Sequence, residues 1–163
     1  METNRRNQFA LLIGRLMVGG MYLYSGITNL IELGGKAGYA ASKGLPDAQL
    51  WVTLASLLLV VAGVSLISGI QPRLGVGAVA LFLIPVSIMM HNFWALDGMV
   101  RIAEMHAFLG NLALLGSAFM FLAIPRPWPF SLDNGVDLVD VVLRRLRATN
   151  TARHDSQLNS RNS

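Results

Sequence analysis

The stretch HNFWALDGMVRIAEMHAFLGN, from His91 to Asn111, decides how the chain reads. It separates two long apolar segments and holds two of the three histidines, together with Asn92, Trp94, Asp97, Arg101, Glu104 and Asn111. Elsewhere between residues 9 and 124 charged side chains are sparse. A polar cluster between membrane-length segments is a water-facing loop, a site, or both.

Outward from that cluster, apolar segments run from about Phe9 to Ile31, Leu50 to Ile70, Leu74 to Phe93 and Met105 to Ile124. Each is roughly 20 residues, the length that carries an α-helix across about 30 Å of hydrocarbon. The chain has 163 residues, of which 53% are apolar and only 13% charged. Soluble domains need charge on most helices, and here it is pushed to the ends and into a few loops. The sequence therefore predicts an all-α membrane protein. Its architecture is an antiparallel bundle of four transmembrane helices followed by a C-terminal amphipathic helix.

The boundaries follow from the same pattern. Residues 1–8 form a polar N-terminus, and residues 9–124 form the four-span domain. Arg15 interrupts the first apolar run and no small-residue cleavage site follows, which favours an uncleaved first span over a signal peptide. A short interfacial helix is expected around Ala37–Lys43, and Gln71-Pro72-Arg73 reads as a tight hairpin turn. Residues 125–148 begin with Pro125, Pro127 and Pro129, which stop the fourth helix because proline cannot continue its ladder. There follows an amphipathic segment with Leu138, Val139, Val142 and Leu146 on one face; Asp137, Asp140, Arg144 and Arg147 lie on the other. Residues 149–163 read as a disordered tail.

Arg5, Arg6, Arg73 and the six arginines after residue 124 fall on one side of the four-span arrangement. The opposite loops carry Lys36, Lys43 and Arg101, largely matched by Glu32, Asp47, Asp97 and Glu104. The positive-inside rule then puts both termini in the cytoplasm. The net charge of +4 sits mostly in the tail, so it reads as an orientation signal and not as a nucleic-acid footprint. With no cysteine, thiol–disulfide chemistry, iron–sulfur ligation and thiolate zinc sites are excluded. Phosphate loops, nucleophile elbows and HExxH helices are also missing.

Two sets of residues are candidates for chemistry. In the first span Arg15, Gly19, Tyr22, Gly26 and Asn29 recur at intervals of three or four and share one face. Polar groups at membrane depth are costly unless paired, so this face points into the bundle. Its glycines also suit simple helix packing. Arg15 and Tyr22 are its intramembrane polar groups, and Arg15 either snorkels to lipid phosphates or meets an internal anion.

The second set is a pocket at the far end of spans one, three and four, built from Asn29, Glu32, His91, Trp94, Glu104 and His106. Such a pocket suits a quinone headgroup, with histidine exchanging protons and a carboxylate relaying them. The bland alternative is an aromatic and histidine belt at the headgroup level. Two histidines one loop apart lack ligand spacing, so no metal site is assigned and haem has no support.

The ordered motifs resemble the DoxX family of small four-helix bacterial membrane proteins. They are Gly14-Arg15-Leu16, Ser25-Gly26-Ile27-Thr28-Asn29-Leu30, Gly44-Leu45-Pro46, Pro72-Arg73-Leu74, His91-Asn92-Phe93-Trp94 and Asn111-Leu112-Ala113-Leu114-Leu115-Gly116. The resemblance spans roughly residues 9–124. Family relatives carry lysine near two positions occupied here by Asn29 and Gly110, where the chain departs from the pattern. The family takes its name from a subunit of a terminal quinol oxidase and thiosulfate:quinone oxidoreductase system. Similarity to it implies an accessory subunit of a quinone-linked respiratory oxidoreductase, with an oxidoreductase subunit as partner beside the lipid bilayer. The wider superfamily implies the alternative, a non-enzymatic scaffold, assembly factor or small-ligand binding protein. Catalytic residues and homo-oligomerisation stay open at this point.

Overall fold

The computed structural model describes residues 5–132 and 140–147. The described chain is helical: α1 (Arg5–Ile31), α2 (Leu33–Ser42), α3 (Ala48–Ser68), α4 (Pro72–Met90) and α5 (Gly98–Leu122). A further helical segment, α6, covers residues 140–147. A short 3-10 turn, Phe93–Ala95, lies between α4 and α5. Helices α1, α3, α4 and α5 are each long and apolar enough to cross a membrane. Every backbone group inside such a segment must find its partner within the helix, which is why lipid selects this architecture. This is an integral membrane protein.

The four long helices alternate in direction. The start of α1, the α3–α4 turn and the end of α5 therefore lie at one end of the bundle, called here the termini end. The α2 helix and the α4–α5 connection lie at the opposite end. Helix α1 packs chiefly on α3, α3 on α4, and α4 on α5. Of the spans, α4 is the most enclosed and α5 the least.

Small residues set the closest approach. Gly19 and Gly26 of α1 meet α3 so tightly that an added Cβ would lie 2.8 Å from Ile67 Cγ1 and 2.8 Å from the Ser56 carbonyl, respectively. From the other side, a Cβ on Gly63 would lie 2.6 Å from the Leu23 backbone nitrogen. Without a hydrophobic driving force between helices in lipid, such backbone-to-backbone packing supplies the association.

The α3–α4 hairpin is built from turn chemistry. Gly69 ends α3 at φ 72°, a conformation that favours glycine, and Pro72 opens α4 where its missing N–H costs nothing. Ser65 donates its hydroxyl to the carbonyls of Ile70 at 2.8 Å and Gln71 at 3.0 Å, tying the turn to the helix behind it.

Three boundaries differ from the sequence reading. Helix α5 starts at Gly98, seven residues before Met105, so Arg101 and Glu104 are helical and not loop residues. Helix α2 begins at Leu33 and is longer than the expected Ala37–Lys43 turn. Helix α4 stops at Met90, with His91 as its cap. The first two share a cause: hydropathy marks where lipid begins, while a helix continues past that level as long as its backbone can bond to itself. Helix α4 instead ends early, where the chain leaves it at His91 for the 3-10 turn. The expected tail, residues 149–163, and residues 133–139 of the amphipathic segment lie outside the described residues.

Candidate functional site

Two polar constellations emerge, one near each end of the bundle. At the termini end Arg15 is fully buried. Its Nε donates to the Leu66 carbonyl at 3.0 Å, one terminal nitrogen to Ile67 at 2.9 Å, and the other to Pro129 at 2.8 Å. The guanidinium also lies 5.2 Å from the ring centre of Trp128. Leu66 and Ile67 are in the last turn of α3, where carbonyls lose their intrahelical partners and the helix dipole is negative. Arg15 therefore neither snorkels to lipid nor meets a carboxylate. Its partners are main-chain carbonyls, and they are invisible in a side-chain pattern.

Tyr22, two turns further along the same face of α1, is 1% exposed and points its hydroxyl at the Leu114 carbonyl of α5, 3.5 Å away. Both intramembrane polar groups of α1 thus serve internal contacts.

The opposite end holds the groups suited to exchange chemistry. His91 caps α4, and its Nδ1 lies 2.7 Å from Glu104 Oε2 on α5. Lys43, just past α2, donates to Glu104 Oε1 at 3.2 Å, and the Tyr39 hydroxyl reaches the same oxygen at 3.4 Å. Glu104 is thus an acceptor for three groups from α2 and α4, its side chain only 15% exposed. For Lys43, burial alone would lower the ammonium pKa. The hydrogen bond and charge of Glu104, with a share from Tyr39, outweigh it and hold the group above its ordinary value.

With Nδ1 donating to Glu104, Nε2 of His91 is the ring position left for exchange: an acceptor in the neutral ring, a donor in the cation. Beside it Phe93, Trp94 and Phe108 form an edge-to-face cluster, Phe93 to Phe108 at 5.4 Å and Trp94 to Phe108 at 6.0 Å.

Of the remaining expected members, only Trp94 joins the neighbouring aromatic cluster. His106 is two residues beyond Glu104, about 200° around the helix, and is exposed. Trp94 sits on the 3-10 turn past the end of α4 and is 54% exposed. Glu32 pairs with Lys36 at 3.4 Å on an exposed surface. Asn29 is half-buried near the end of α1. The structure brings His91 and Glu104 together and adds Lys43, one of the loop charges, and Tyr39, which the sequence pattern does not single out. One signal for Lys43 was available: Glu104 needs a cation at its own depth, and Lys43 ends the short helix lying at that level.

A family model, DoxX, matches residues 10–92, just over half of the chain. The chain belongs to the DoxX family. No curated protein and no solved structure matches it. The DoxX match takes in Arg15, Lys43 and His91 but ends before Trp94, Glu104 and His106. In this DoxX protein the histidine of the site lies inside the matched region, and its carboxylate partner lies on a helix beyond it.

Proposed function

We propose that this DoxX protein is an accessory subunit of a quinone-linked respiratory oxidoreductase in the bacterial inner membrane, with both termini in the cytoplasm. The arginine-rich termini end supports that orientation through the positive-inside rule. The observation that carries the functional reading is the 2.7 Å His91–Glu104 contact at the far end of α4 and α5. Oxidising a quinol passes two electrons to the partner oxidoreductase subunit and releases two protons, which an imidazole can accept one at a time at the nitrogen turned away from its carboxylate. Glu104 fixes the ring tautomer, while Lys43 and Tyr39 keep the carboxylate in place. Trp94, Phe93 and Phe108 offer aromatic edges for a flat headgroup beside it.

The test begins with gentle purification from native membranes and identification of co-purifying chains, then compares quinone-dependent activity of His91→Ala and His106→Ala. A stoichiometric oxidoreductase partner and a loss confined to His91→Ala support the reading. Full activity in His91→Ala removes the site from it.

One observation favours the scaffold alternative. Among the described residues no buried side-chain nitrogen or oxygen lacks a hydrogen-bond partner, so the interior already satisfies its own polar groups. A scaffold acts through its helix faces, and it would co-purify with varied membrane clients and tolerate both histidine replacements.

A further inference from the structure

After α5 the chain turns back across the base of α4, and between them lies a cleft of about 190 Å³. Its walls include Pro72 and Arg73 at the start of α4, Phe121 and Ile124 at the end of α5, and Arg126 and Trp128 beyond it. The site described above lies at the other end of the bundle, so this cleft is independent of it. Two arginines line one cleft at the level where a membrane-length helix ends, a combination with a specific chemical meaning.

We propose that the cleft seats the phosphate headgroup of an anionic phospholipid. Arg73 and Arg126 supply the charge; planar guanidinium forks match phosphate oxygens with paired donors. Both are also engaged by protein groups, but each has five N–H donors, enough to hold its place and bind an anion. Pro72 opens α4 here, so the positive end of a 19-residue helix adds to the field. Phe121 and Trp128 are buried and form the floor of the cleft, and half-buried Ile124 supplies a surface for the glycerol and upper acyl carbons. Leu122 and Met120, both exposed, continue that surface along the lipid-facing side of α5. The exposed Leu122 and Met120 beside the arginines favour a lipid over free phosphate, because acyl chain covers them and an ion does not. Basic clefts between helices at a membrane boundary are a recurrent means of holding such headgroups.

The cleft has a built-in competitor. Asp140 of α6 accepts from Arg73 at 2.8 Å, both side chains being about half exposed. Exposed pairs of this kind are weak, so a phosphate can displace the carboxylate and release α6 from Arg73.

The experiment is thermal unfolding of the full chain in neutral detergent, titrated with phosphatidylglycerol, phosphatidylcholine or inorganic phosphate. Phosphatidylglycerol raises the midpoint; the other two do not at equal headgroup concentration. Arg73→Gln and Arg126→Gln each weaken the phosphatidylglycerol response by about fivefold, the worth of one basic side chain beside an anionic lipid. Asp140→Asn strengthens it. An equal response to phosphatidylcholine, a full response to inorganic phosphate, or unchanged titrations in both arginine variants overturns the proposal. If Arg126→Gln does not fold, Arg73→Gln and Asp140→Asn decide, because Arg73 and Asp140 are at the surface and their opposite shifts are read on the folded protein.

Discussion

Arg15 donates across 114 residues of sequence to the carbonyl of Pro129, 2.8 Å away, while the same guanidinium closes the last turn of α3. One side chain in the first span therefore fixes the end of the second and the exit of the chain from the fourth. The position is stringent because three carbonyls converge on a planar fork, a geometry that lysine cannot reproduce.

Replacing Arg15 with methionine keeps much of the bulk and orphans three buried or half-buried carbonyls. At about 1–3 kcal/mol for a buried acceptor left unpaired, a loss of roughly 3 kcal/mol or more is expected. Arg15→Lys should recover only part of it. Thermal unfolding in detergent measures both, and a methionine variant as stable as the parent would remove the structural role.

The α1–α3 contact is equally specific. Gly63→Ala puts a Cβ 2.6 Å from the Leu23 backbone nitrogen, and backbone cannot rotate away as a side chain can. Helices must separate, at a cost of about 1–3 kcal/mol for overpacking. Gly20→Ala on the same α1 meets open space, and in a helix it should be neutral or stabilise by up to about 1 kcal/mol. Parallel melts of the two variants check the contrast, which fails if Gly63→Ala melts with the parent.

How much of this was legible beforehand depends on the kind of interaction. The four spans were, because lipid demands long apolar helices and tolerates little else. The glycine face of α1 was, because its three- and four-residue spacing is written in the sequence. The Arg15 partners were not. Leu66, Ile67 and Pro129 contribute carbonyls, which every residue has, so no residue type marks them. The separation of His106 from Glu104 came from a boundary error: with Glu104 in a loop before the span it could converge with His106, while on one helix they cannot.

The alkaline limit of stability should carry the signature of Lys43. Its folded pKa lies above the ordinary 10.5, so the protonated form is favoured by folding. The stabilisation is then complete below the ordinary lysine value and is lost as pH rises through the raised folded value. Lys43→Met should remove that dependence and flatten the alkaline fall in melting temperature. An alkaline profile identical in parent and variant would count against the Glu104 contact as its cause.

Coupling energies distinguish the assembled site from mere neighbours in sequence. His91 and Glu104 share a 2.7 Å contact, so His91→Ala and Glu104→Gln should be non-additive by roughly 0.5–3 kcal/mol, the range for groups in one network. Glu104→Gln also takes the charge from the group that accepts from Lys43 and Tyr39, so it should cost more than His91→Ala. His106→Ala with Glu104→Gln should be additive, because His106 is exposed on the other side of α5. Melting temperatures for the two double-mutant cycles supply the measurement. Additivity in the His91 cycle would separate the two groups energetically, and the proton-exchange reading would then lose the carboxylate that orients its histidine.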